Sequence, residues 1–269
     1  MSNKITKATK KNPTARKIYF SILQLIFEIK YFFQKKLMRS SLILLYHRVD
    51  TPKNDPHSLS VSPENFRKQL EYLKENFTII KLSELAKEVK NGKFSNKVSI
   101  TFDDGYEDNL INALPILQEL NIPATIFVTT EFLDKKGYFY WEKDSDENDR
   151  GVPLSSESLK KLADSDLIEI GAHTISHPNL KHLDASRQKE EILQSKLQLE
   201  NIIGKEVAIF SYPFGTNKYF SNDTVNIVKE SGYTSACANE QGRITFLSKI
   251  FTLPRIVIRN DLKDFVSKL

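Results

Sequence analysis

Val98-Ser99-Ile100-Thr101-Phe102-Asp103-Asp104-Gly105 is an apolar run that stops at two acids and a glycine. Its length and β-branched content are those of a buried strand. Gly105 lets the chain turn sharply where the strand ends, so both carboxylates can reach one cavity. An Asp-Asp-Gly turn is also common on surfaces, so the pair acquires chemical meaning only if partners gather around it.

Outward from this strand the same grammar repeats. Short apolar runs are expected as strands at 41–46, 78–80, 124–128, 167–172, 207–212, 233–238 and 255–258, alternating with amphipathic segments. Helices are expected from Ser62-Pro63-Glu64, with a capping Ser and Pro at the first helical position, and from a Ser83 cap to Asn91-Gly92. Others are expected at 107–120, bent at Pro115, and at 156–164, 184–203, 222–231 and 261–268. Alternating β and α units predict a parallel sheet, and roughly seven or eight of them in one domain favour a barrel over an open sheet. Barrel chemistry gathers at the carboxyl ends of the strands, which is where the polar signals sit.

His173 and His177 follow the expected strand at 167–172, in Gly171-Ala172-His173-Thr174-Ile175-Ser176-His177-Pro178. A spacing of four puts two imidazoles on one side of a helical turn, close enough to hold one ion. With Asp104 they would leave positions open for water and a substrate oxygen, as in a catalytic metal site. Two His and one carboxylate also serve non-haem iron oxygenases, although an extra Asp beside the ligand is unusual there.

Composition narrows the function classes. The chain has 269 residues and a formal charge of +5, but residues 1–40 carry ten of the 39 Lys and Arg against the single acid Glu28. The remainder holds more acids than bases, so the globular part has no basic excess for gripping nucleic acid. One cysteine, Cys237, rules out an intrachain disulfide, and its apolar surroundings suit a small buried strand residue.

The tail is a separate matter. Residues 18–33 are strongly apolar, yet Gln24, Glu28 and Lys30 interrupt them short of the ~20 residues that a membrane span needs. On a helix Ser21, Gln24 and Glu28 form a narrow polar stripe, which predicts an amphipathic helix over 16–36 at a membrane surface. That placement favours a peripheral protein on the cytoplasmic face. Export or anchoring through the same segment is the rival reading, although no small-residue cleavage site follows. The domain division expected is thus 1–40, basic tail, and 41–269, catalytic domain.

Thr101-Phe102-Asp103-Asp104-Gly105, the His173/His177 pair and Ser211-Tyr212-Pro213-Phe214-Gly215 resemble the motifs of the polysaccharide deacetylase (NodB-homology) superfamily over nearly all of residues 41–260. Leu45-Tyr46-His47-Arg48-Val49 with Ser62-Pro63-Glu64-Asn65-Phe66 is similar to the branch acting on exopolysaccharides and lipid-linked or lipopolysaccharide sugars. The resemblance implies an α/β fold, a distorted (β/α) barrel. It implies a hydrolase that removes N-acetyl groups from an amino-sugar glycan or lipid-linked sugar. Asp104, His173 and His177 would hold a divalent metal, zinc first and Co, Ni, Mn or Fe after it. Asp103 would be the general base, taking a proton from the water that attacks the acetamide, and the Phe214 N–H would help stabilise the oxyanion.

Two departures from the family pattern redirect roles. Ser211 stands where many members have Arg, and Arg255 is the natural substitute for orienting Asp103. No His follows His182, so the resemblance moves the proton donor to His47. Tyr212 and Trp141 are the expected substrate contacts, with core packing the competing reading for Trp141. His57 and His182 have no assigned role, and 144–150 reads as a solvated loop. Action on another small amide, or an inactive carbohydrate-binding relative, are the alternatives.

Overall fold

The structure, a computed structural model, describes residues 40–134 and 137–269 together with Ser21, Ile22 and Gln24. The chain divides into two compact units, Met1–Ser40 and Ser41–Leu269. Apart from those three residues, the expected membrane-surface helix over 16–36 lies outside the described residues. Among those described, no helix is long and apolar enough to cross a membrane.

The second unit is built on β1 (Leu42–Tyr46), whose five residues are all buried. A strand apolar on both faces belongs inside a parallel sheet covered by helices. β1 pairs in parallel with β5 (Lys97–Phe102) over five residues, from Leu42 opposite Val98 to Tyr46 opposite Phe102. The path continues through β6 (Ala124–Val128), β7 (Ile168–Ala172), β8 (Ile209–Ser211) and β9 (Ser235–Cys237), every pairing parallel. On the other side β1 meets β10 (Ile256–Val257), and the short β4 (Thr78–Ile79) adds to β5. The path returns on itself where Leu253, just ahead of β10, bridges Cys237. A ring joined there by so little ladder is a distorted barrel. Between β1 and the first long helix, β2 (Arg48–Val49) and β3 (Ser60–Val61) form a separate parallel pair that the sequence reading did not anticipate.

The helices pack outside. α1 (Pro63–Asn76) begins as expected, with the Ser62 hydroxyl accepting from the Asn65 N–H, and buries Phe66, Leu70 and Leu73 along one face. α2 (Leu82–Lys90) corrects the expected Ser83 cap. Lys81 occupies the cap position, and Ser83 lies within the first turn, where its N–H and hydroxyl both bond Glu169. A strand carboxylate outcompeted the local cap because it satisfies both donors at once. The expected bent helix at 107–120 is a π-helical turn, Asn109–Ala113, followed by α3 (Leu114–Leu120). Pro115 supplies no N–H, and the Leu114 N–H reaches back to the Asn109 carbonyl. The wide turn places Asn109 so that its Nδ2 donates to the His47 carbonyl at 3.0 Å. α4 (Ser156–Asp164), α5 (Ala185–Ile203), α6 (Asn222–Glu230) and α7 (Leu262–Lys268) fall within a residue or so of their expected bounds.

Gly171 on β7 marks how tightly the ring is filled. A Cβ there would lie 2.4 Å from the fully buried Phe127 ring and 3.1 Å from the Ile209 carbonyl oxygen. Gly171→Ala is expected to cost about 1–3 kcal/mol through overpacking. At about 2–4 °C per kcal/mol for a domain of this size, a thermal melt reads this directly, and an unchanged midpoint contradicts it.

Candidate active site

The carboxyl ends of β1, β5, β7, β8, β9 and β10 open into one cavity of about 480 Å³. His47, Asp103, Asp104, His173, His177, Phe214 and Trp141 all line it. The sequence reading missed His57, Leu59, Tyr140, Tyr219, Asn239, Val257 and Arg259, which complete the wall. Asn239, Val257 and Arg259 lie at or just past ends of expected strands, and that position alone could have flagged them.

Asp103 continues the β1–β5 pairing, its N–H donating to the Tyr46 carbonyl at 3.0 Å. The chain then turns through two left-handed residues, Asp104 (φ 76°) and Gly105 (φ 87°). The strained aspartate matters because it separates two adjacent acids into two environments. Asp103 faces Arg255, whose two terminal nitrogens each lie 2.7 Å from one carboxylate oxygen. Arg255 is fully buried and also donates to the Ala238 carbonyl (3.0 Å), the Ser211 hydroxyl (2.9 Å) and Thr101 (3.3 Å). Burial by itself would lift the Asp103 pKa, but the guanidinium and His173 overcome it and hold the carboxylate well below its usual range.

Asp104 has the opposite environment. Burial, then the neighbouring Asp103 and Glu142 charges, push its pKa well up, and among the described residues no donor hydrogen-bonds its carboxylate. Its Oδ1 instead faces two imidazoles, His173 Nε2 at 3.5 Å and His177 Nε2 at 3.8 Å. One donor atom from each of the three residues falls within 4.8 Å of the others, all buried. His173 Nδ1 lies 2.8 Å from the Ser211 carbonyl, which fixes the proton there and leaves Nε2 free as a lone-pair donor. Burial lowers the pKa of both histidines, so both are neutral near pH 7. A carboxylate with no hydrogen-bond donor beside two neutral, oriented imidazoles is the donor set that a divalent cation completes.

The two histidines reach this arrangement by a route other than the expected helical turn. Residues 173–177 are irregular, with Thr174 (φ 67°) and His177 (φ 58°) both left-handed. Glu191 on α5 pins the loop by accepting from the Ile175 N–H (2.9 Å), the Ser176 N–H (2.9 Å) and the Ser176 hydroxyl (2.7 Å). A side chain fourteen residues past His177 overrides the local periodicity, bringing the rings to 4.9 Å.

The other predicted residues divide. His47 is half-buried beside the pocket, and burial, partly offset by Asp103, pushes its pKa down to about 4. Phe214 is exposed, left-handed (φ 58°), and its ring lies 4.7 Å from His177. Trp141 is also at the pocket, 4.7 Å from His177. Tyr212 is a correction: it is fully buried, stacks on Phe220 at 4.0 Å and donates its hydroxyl to the Phe251 carbonyl, so it cannot touch a ligand in the cavity. Strand alternation turned it into the core. His182 is exposed in a short turn away from the cavity. In the loop expected to be solvated, Asp149 is buried and accepts from the Lys53 and Asn54 N–H groups.

With this geometry in hand, comparison with known proteins is specific. The polysaccharide deacetylase family profile matches residues 90–236. The chain is 28% identical over 217 residues to the Bacillus subtilis protein YxkH, covering 80% of this chain and 70% of that one. It is 27% identical over 251 residues to the poly-beta-1,6-N-acetyl-D-glucosamine N-deacetylase of Staphylococcus epidermidis, covering 85% and 82%. A solved polysaccharide deacetylase from Bacillus cereus superposes with a TM-score of 0.70 at 26% identity, covering 85% of this chain and 68% of that one. The chain belongs to the polysaccharide deacetylase family, and it is a hydrolase of carbon–nitrogen bonds.

The Asp103–Arg255 pair yields a stability prediction. Because the folded pKa of Asp103 is depressed, its contribution is present above the unfolded pKa of about 4 and is lost as pH falls below it. Arg255→Met strands a buried carboxylate and is expected to cost about 3–5 kcal/mol at neutral pH. It also flattens the acid side of the stability profile. Denaturant melts from pH 3 to 7 check this, and a variant with the wild-type profile refutes it.

Proposed function

We propose that this member of the polysaccharide deacetylase family removes N-acetyl groups from an amino-sugar glycan or a lipid-linked amino sugar, using a divalent metal, with zinc as the first candidate. The observation that carries the reading is the three-donor cluster of Asp104, His173 and His177 directly beside an Asp103 clamped by Arg255. The name of the Staphylococcus epidermidis relative supports an N-acetylglucosamine polymer as the substrate class.

Asp104 and the two histidines would hold the ion, and when bound it supplies Lewis acidity, acidifying water and polarising the acetamide oxygen. Asp103 is ionised throughout the working pH range and stands ready to accept the proton of the attacking water. Held so low it is a weak base, and an acidified water is the donor it needs. Arg255 keeps both carboxylate oxygens in a fixed plane, so the proton is taken without reorganisation. The left-handed turn at Phe214 offers its N–H as a donor to the developing oxyanion. His47 protonates the departing amine. It is neutral in the free pocket, and Asp103, across the β1–β5 pair, is the adjacent source of the proton it passes on.

The tail reading extends the proposal to location. Residues 16–36 would hold the enzyme at the cytoplasmic face of a membrane, where a lipid-linked sugar is accessible. A chain lacking residues 1–38 should leave the membrane fraction, and one that still pellets after a carbonate wash would end that idea.

The chemistry is tested by acetate release from N-acetylglucosamine oligomers and lipid-linked N-acetylated sugars. Metal-replete protein should release acetate, and chelation should abolish it. Asp103→Asn should lower kcat by about 10²–10⁴-fold with metal still bound, and His47→Gln by a similar factor. If no candidate yields acetate from metal-replete enzyme, the substrate class is wrong.

A further inference from the structure

Behind one wall of the pocket lies a cluster of charge that the chemistry above does not use. Arg48, on β2 directly after His47, is buried, and its guanidinium meets three carboxylates: Asp50 at 2.6 Å, Asp108 at 3.1 Å and Glu142 at 3.4 Å. It donates as well to the Asp149 carbonyl at 2.8 Å and lies over the Tyr106 ring at 5.4 Å. The second oxygen of Glu142 accepts the Gly151 N–H at 3.0 Å. One cation therefore fastens a long surface segment at Glu142, at Asp149 and, through Glu142, at Gly151. All three guanidinium nitrogens are engaged, Nε by Asp108, Nη2 by Asp50, and Nη1 by both Glu142 and the Asp149 carbonyl, an arrangement that the single ammonium of a lysine cannot reproduce.

The fastening leaves no slack. A Cβ on Gly151 would fall 2.3 Å from the Tyr106 ring and 3.0 Å from Arg48 Nε. Among the described residues Arg48 is the only cation paired with Glu142 or Asp108, and burial lifts those acids to about 7 and about 6.

What the segment presents to the cavity is Trp141. Its ring stacks on Phe139 at 4.7 Å and 16°, and stands 4.7 Å from His177. Its Nε1 donates to the Tyr106 hydroxyl at 2.9 Å. Tyr106 is itself fully buried beneath Arg48. Arg48, Tyr106 and Trp141 form a continuous chain of contact from the interior to the pocket wall.

We propose that Arg48 is a positioning residue: through Glu142, the Asp149 carbonyl and Tyr106 it fixes the Trp141 wall against which the substrate's sugar ring is held. Arg48 therefore sets how well substrate binds and leaves the proton transfers untouched. The inference rests on reading the cavity as a glycan deacetylase site, but its structural half can be tested without that reading.

Trp141 is the only tryptophan in the chain, so emission excited at the red edge of indole absorption, where tyrosine does not absorb, reports this wall. The experiment pairs steady-state kinetics on an N-acetylglucosamine oligomer with emission and acrylamide quenching of the full chain, for Arg48→Lys and Tyr106→Phe. Tyr106→Phe removes one hydrogen-bond acceptor and is expected to raise KM by about three- to tenfold with kcat held within about twofold. Arg48→Lys is expected to raise KM by about tenfold or more. Both should shift the emission and make Trp141 easier to quench.

Unchanged emission and KM in Tyr106→Phe would overturn the proposal, as would a fall in kcat with KM and emission unmoved. Should Arg48→Lys fail to fold, Tyr106→Phe decides by itself, since it alters no charge. If wild-type protein releases no acetate from any glycan, the deacetylase reading falls. The quenching comparison then still decides whether Arg48 holds Trp141, and identical quenching in all three proteins overturns it.

Discussion

One buried guanidinium organises this molecule. Arg255 bonds Asp103 through both of its terminal nitrogens, Ser211 at the end of β8, the carbonyl of Ala238 past β9, and Thr101 within β5. It sits two residues past Leu253, where the sheet path closes through a single bridge to Cys237. Where the ladder of the ring is thinnest, side-chain hydrogen bonds take over its role. A buried charge is tolerable only when paired and fully hydrogen-bonded, and Arg255 meets that condition with partners from three strand ends. Closure of the barrel and fixing of the base are one structural event.

From that clamp follows the division of two neighbouring aspartates. Asp103 is pulled toward the cation and kept ionised, while Asp104, swung by a left-handed turn, faces two neutral histidines and, among the described residues, has no cation paired with it. The environments push the two carboxyls in opposite directions, the pattern expected where adjacent acids take different roles. His173 belongs to the same arrangement, since the Ser211 that touches Arg255 through its hydroxyl also fixes the imidazole through its carbonyl.

Most of the barrel was legible because parallel strands buried on both faces read as short unbroken apolar runs, and Leu42–Tyr46 or Ala124–Val128 could hardly be anything else. The main site residues were legible for a different reason: Asp103, Asp104 and His173 immediately follow such runs. What stayed hidden depended on distant partners. Glu191 holds the His173–His177 loop out of helical geometry, and Glu169 takes Ser83 from its cap. Neither is visible in a local window. Tyr212 was misjudged because proximity to a motif says nothing about which face of the strand a side chain occupies. Arg48 entered only as one letter of the Leu45–Val49 motif, and only the fold shows that Asp108 and Glu142, from two distant segments, join the nearby Asp50 around it.

The central claim is that Asp104, His173 and His177 together hold one divalent ion on which amide hydrolysis depends. The most direct measurement is a titration of metal-free protein with zinc while acetate release from an N-acetylglucosamine oligomer is followed in the same sample. The account predicts that activity climbs to a plateau at one equivalent per chain, and that Asp104→Ala binds no stoichiometric ion and stays inactive. Full activity in metal-free protein, or an Asp104→Ala chain that titrates like the wild type, would contradict it.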